Sequence, residues 1–108
     1  MMNKSFTIGR VSWSTQRKGD ALPLERVALE YWIVCDFLRR HRLAVRQLAE
    51  SQSDITDDFE IRSDDLTDEG LQFMRTGYQK WLSMLDRGGD PSDIHILERE
   101  LTKLRKTK

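Results

Sequence analysis

The chain has 108 residues, with 18 Lys or Arg balanced by 18 Asp or Glu and a formal charge of zero. That length implies a single domain, 1–108, with a modest core, and zero net charge gives no overall field to hold a nucleic acid or a membrane surface. No apolar run approaches the roughly 20 residues of a membrane helix, and the first residues lack the apolar stretch of a secretory leader, so a cytoplasmic protein is expected.

Residues 1–20 read as an extended N-terminal arm. Phe6 and Ile8 share one face of a strand, and beyond Gly9 the phase flips to Val11 and Trp13. That flip predicts a short strand over 5–13 with a bend or bulge at Gly9. A polar turn over 16–20 follows. Pro23 then stands where its missing N–H costs a helix start nothing.

Helix one is predicted over 24–52. Leu24, Val27, Tyr31, Val34, Leu38, His41, Val45 and Leu48 keep a 3-4-3-4 spacing throughout, the stripe that a helix buries. Leu29, Ile33, Phe37 and Ala44 form a second stripe. The segment 31–35 is apolar all round and needs cover on more than one side. Cys35 lies within it and is expected to be a buried, unreactive thiol. Arg39, Arg40, Arg42 and Arg46 place cations where the helix dipole favours them. His41 falls on the first stripe without a ligand-type residue at the following turn, so it reads as a packing residue and not a metal ligand.

Charge is segregated along the chain. Residues 54–69 hold eight acids and one cation, Arg62, whereas the segments on either side are mildly basic. This acidic connector, 53–66, contains Asp57, Asp58, Asp64 and Asp65. They read either as plain solvation or as an electrostatic docking surface for a basic partner. Their spacing does not fit a calcium loop. Phe59 and Ile61 alternate with charged residues, which makes 58–62 a second short strand able to pair with the arm.

Thr67 is a good N-cap for helix two, predicted over 67–87 with Leu71, Met74, Tyr78, Trp81 and Leu85 as its stripe. Gly77 falls beside that stripe, where a close helix approach would explain it. Gly88 or Gly89 is placed to stop the helix in a left-handed cap. Asp90, Pro91 and Asp93 suit the cap and first turn of helix three, predicted over 91–106. Two helices joined by so short a loop must turn back on each other. The expected fold is therefore mainly α. A long central helix and a C-terminal αα-hairpin form an antiparallel three-helix arrangement, with a short extended arm and a possible two-stranded ribbon.

No phosphate loop, nucleophile elbow or metal-ligand spacing is present, so neither catalysis nor a cofactor is expected. The helix–turn–helix outline of 67–106 raises a DNA-binding regulator as the alternative. The outward side of helix three is too acidic for a groove, and its cations lie at the wrong end for base reading. A nucleic-acid partner is therefore disfavoured. The favoured reading is a protein that works by contact. Helices two and three cover one side of helix one, and the second stripe remains. Trp13, Leu29, Trp32, Ile33, Phe37 and Arg40 are the expected protein-binding surface. It would serve a homodimer, a larger partner, or both. Small regulatory or inhibitory proteins of the antiactivator, antitoxin or immunity kind act in this way.

Overall fold

The computed structural model describes residues 5–12 and 23–106, so Trp13 and the polar turn expected over 16–20 lie outside the described residues. The chain is mainly helical with one small two-stranded antiparallel sheet. Strand β1, Thr7–Arg10, pairs with β2, Glu60–Arg62. Thr7 faces Arg62 and Gly9 faces Ile61, so Ile8 is an extra residue on one strand. This irregularity adjoins Gly9, where the alternation of apolar residues changes phase. Backbone bonds continue the ladder at both ends, from Val11 N–H to Phe59 O and from Ser63 N–H to Phe6 O. The strand is shorter than the predicted 5–13 because the backbone of Val11 and Ser12 is already helical.

Helix α1 spans Leu24–Arg40 and ends well before the predicted 52. Pro23 precedes its first turn and accepts the amides of Arg26 and Val27. Its end is a Schellman turn. Arg42 N–H reaches Arg39 O at 3.2 Å, and Leu43 N–H reaches Leu38 O at 2.8 Å. Arg42 supplies the left-handed residue, with φ of 59°. Leu38 and Leu43, the apolar pair of this motif, are both fully buried.

The chain then runs extended, and tertiary bonds replace the helical ones. Val45 N–H donates to Asp65 O, Thr67 N–H and Oγ1–H both donate to Leu43 O, and Ala44 bridges Leu66. Val45 belongs to the predicted stripe yet is 60% exposed.

The predicted helix two is two helices, α2 over Asp68–Arg75 and α3 over Gly77–Asp86. Thr67 caps α2, its Oγ accepting from Gly70 N–H at 3.0 Å. At Thr76 the backbone leaves the helical region, with φ −120° and ψ −78°. The break sets Gly77 between the Phe73 ring and Glu100. A Cβ there would lie 2.8 Å from each, so the close approach expected of this glycine is present.

Gly88 takes the left-handed cap after α3, with φ of 91°. Helix α4 spans His95–Lys106 and starts later than the predicted 91. Asp90 does not cap it. Its carboxylate accepts from the N–H and Oγ–H of Ser92, closing a local turn. Asp93 accepts from His95 N–H, and Asp93 O receives the Trp81 indole N–H at 3.2 Å.

The core joins all these pieces. Phe37 stacks on Phe73 with centroids 5.3 Å apart, and Trp81, Leu97 and Ile61 are almost wholly covered. The ribbon lies over α1, where Phe59 meets Tyr31 edge-on at 6.1 Å. Much of the apolar surplus on α1 is thus covered by the chain itself, through Val11, Phe59, Ile61 and Phe73.

Candidate interaction surfaces

The residues predicted to form one interface on helix one are divided by the fold. Phe37 is 0% exposed and belongs to the core. Leu29, Trp32 and Ile33 are half-buried along the outer edge of α1. Arg40 is exposed below them and pairs with Asp36 at 3.0 Å, as does Arg39 at 2.7 Å. His41 packs on Phe37, centroids 4.3 Å apart. Its pKa is lowered by burial, then by Arg105 and Arg40. Burial pushes the Cys35 thiol up to about 12, with a further upward push from Asp65. A thiol held protonated in this way is no nucleophile at neutral pH.

The acidic quartet is not gathered either. Asp57 and Asp58 are exposed at the tip of a turn closed by Phe59 N–H donating to Thr56 O. Asp64 is exposed and accepts from Ser5 Oγ–H at 2.6 Å. Asp65 is buried. It accepts from Arg62 N–H and Arg46 Nε–H, both at 2.9 Å, and so fixes the turn before α2. Asp65 is thus taken up by the fold, while Asp57, Asp58 and Asp64 remain exposed.

A surface not anticipated from sequence lies between α3 and α4. A concavity of about 560 Å³ is lined there by Lys80, Ser83, Met84, Arg87, Gly88, Gly89, Ile96 and Arg99. The apolar part of its lining is Met84 and Ile96, both half-buried. A second concavity of about 500 Å³ shares Lys80 and adds Arg75, Gln79, Lys103 and Leu104. Glu100 is the one carboxylate in either lining, and it is only 7% exposed.

Glu100 holds the cations in place. Lys80 Nζ donates to its Oε1 at 3.0 Å, and Lys103 Nζ lies 3.3 Å from Oε2. The Lys80 bond is the main cause of a lowered Glu100 pKa, with burial opposing and Lys103 assisting. Arg99 is more distant, at 3.9 Å, and Arg87 has no ion pair among the described residues.

The helices make this groove because Gly77 lets α3 approach α4 beside Glu100 while Trp81 anchors the loop. Sequence reading missed it for a simple reason. Met84 and Ile96 lie off the principal stripes, and the cations come from two helices whose relative rotation no periodicity reports. The one available signal was the absence of acids between Tyr78 and Leu85.

Among the described residues no group of His, Cys, Asp and Glu gathers as metal ligands, and no helix is long and apolar enough to cross a membrane. Comparison with known protein families, with curated proteins and with solved structures finds no match to this chain.

Proposed function

We propose that the protein is a non-catalytic interaction module that binds and sequesters a larger protein, in the manner of an antiactivator, an antitoxin or an immunity protein. The observation that carries this reading is the groove between α3 and α4. It is a concave surface with an apolar floor and a polar rim, the general anatomy of a contact site. Its shape is held by the pairing of buried Glu100 with Lys80 and by a glycine approach, so little ordering would be lost on binding. A DNA-reading role fits less well, because exposed Asp93 and Glu98 stand at the start of α4, the end that would enter a groove. Self-association through the half-buried edge of α1 (Leu29, Trp32 and Ile33) is a second contact consistent with the same role.

Affinity capture with immobilised protein tests the reading. Met84→Glu fills the groove floor with a carboxylate one turn from both Lys80 and Arg87, a placement that keeps the helix stable. The expected result is a protein retained by the parent chain and lost from an equally folded Met84→Glu variant. If the same proteins are retained by both, the groove is not the contact and the proposal fails.

A further inference from the structure

The charge on the groove specifies its ligand further, resting on the reading that the chain works by contact. We propose that the groove between α3 and α4 takes an acidic peptide segment carrying one apolar anchor side chain, with carboxylates on the rim and the anchor on Met84 and Ile96.

Charge complementarity argues for the acidic part. Arg75, Lys80, Arg87, Arg99 and Lys103 line the two concavities, and the one carboxylate among them, Glu100, is already buried against Lys80 and Lys103. Arg75, in the second concavity, has no ion pair among the described residues, and in the first concavity Arg87 and Arg99 carry most of the unspent charge. Arg87 has no ion pair among the described residues, and Arg99 stands 3.9 Å from the nearest carboxylate oxygen. Their guanidinium groups suit bidentate carboxylate binding.

The floor argues for the anchor. Met84 and Ile96 are half-buried within the same concavity as those two arginines, and a flexible thioether adapts to varied apolar shapes. A phosphodiester backbone offers nothing to this floor. Lys80 lines both concavities, so an extended or helical segment seated in the first would pass beside the cations of the second.

The test is fluorescence anisotropy of a labelled synthetic peptide of Glu and Ser around one central Leu, titrated with the full chain. Three controls accompany it: the same peptide with Ser for Leu, the same peptide with Lys for Glu, and a DNA duplex. Saturable binding is expected only for the acidic peptide with Leu. The Arg87→Glu/Arg99→Glu double variant should weaken it by about tenfold or more, as should raising the salt. Both arginines are exposed, and an unchanged melting curve establishes that the variant folds.

The proposal is overturned if the acidic peptide does not bind. It is equally overturned if the Ser-for-Leu peptide or the duplex binds as tightly, which would make the groove a plain polyanion surface. A captured protein that depends on Met84 would still support the contact role when the peptide fails, so the two readings fail separately.

Discussion

Arg42 occupies a backbone position that nearly every other residue type avoids. Its φ of 59° is required by the Schellman turn that buries Leu43, and glycine is the usual residue there. A left-handed non-glycine residue costs about 1–2 kcal/mol, and glycine returns about 0.4–1 kcal/mol of that as unfolded-state entropy. Arg42→Gly is therefore expected to stabilise by about 0.5–1 kcal/mol. Arg42→Val should destabilise by at least about 1 kcal/mol, since a β-branched side chain fits this region worst. Arg42 is exposed, so packing does not confuse the comparison, and urea unfolding of the two variants reads it. If both variants matched the parent chain, the turn would not have the strain assigned to it.

Gly70 is the opposite case, a glycine kept for space. A Cβ at this position would lie 2.0 Å from Leu43 O, the same carbonyl that caps onto Thr67. Alanine gains about 1 kcal/mol in helix propensity. It would also displace a backbone strand that makes three tertiary hydrogen bonds, and overpacking of this kind costs roughly 1–3 kcal/mol or more. Gly70→Ala should destabilise the fold by about 2 kcal/mol, visible as a lower urea midpoint at constant slope. A variant more stable than the parent would show that 43–45 does not lie where the structure places it.

At the scale of elements, the ribbon depends on charge. Glu60 accepts from Arg62 at 2.8 Å, from Thr7 Oγ–H at 2.9 Å and from Arg10. These bonds, Arg62 first, hold its pKa at about 2 instead of the ordinary 4.5. A carboxylate whose pKa is depressed by folding stabilises fully above its unfolded value. That stabilisation is lost as pH falls through the folded one. The ribbon's share of stability should thus fade between pH 4.5 and about 2. Melting temperature against pH reads the effect, and Glu60→Gln should flatten that acid limb while melting lower at neutral pH. An acid limb of unchanged steepness would remove Glu60 from the account.

The same elements show what periodicity can and cannot report. The ribbon was legible because alternation and its phase flip at Gly9 are local. The Thr67 cap and the stop at Gly88 were legible because their residue types have one main use. The end of α1 was not, since the stripe continues unbroken through His41, Val45 and Leu48 and an arginine stands where glycine signals a stop. What ends the helix is distant, the exchange of bonds between 43–45 and 65–67. The break at Thr76 was hidden likewise, because Met74, Tyr78 and Trp81 keep their spacing across it. The groove was illegible for a further reason. It depends on which faces of α3 and α4 remain outward once Gly77 and Trp81 have set their packing.

For the whole molecule, the remaining apolar surface sets the strength of self-association. The fold already buries Phe37, Tyr31 and Val34, and leaves on α1 the edge of Leu29, Trp32 and Ile33, each half-covered, and Leu24 at the helix start. Phe6, Leu24 and Val45 are the large apolar residues most exposed among the described ones, and they lie on three separate segments. A stable two-fold dimer buries about 800 Å² per partner. One helix edge of three half-covered side chains supplies less, with Asp36, Arg39 and Arg40 beside it already paired to one another. The homodimer we propose is therefore a weak one. Light scattering should give 12.7 kDa at low concentration, with the mass rising toward twice that value as concentration increases. Ile33→Asp should hold the chain at the monomer mass without changing its melting curve, whereas Phe37→Asp should unfold it, because that side chain is wholly internal. A constant monomer mass at every concentration would eliminate the dimer and leave the groove between α3 and α4 as the surface by which the protein acts. A constant dimer mass would mean that α1 hides more than its half-buried edge, and Ile33→Asp would then lower stability as well as mass.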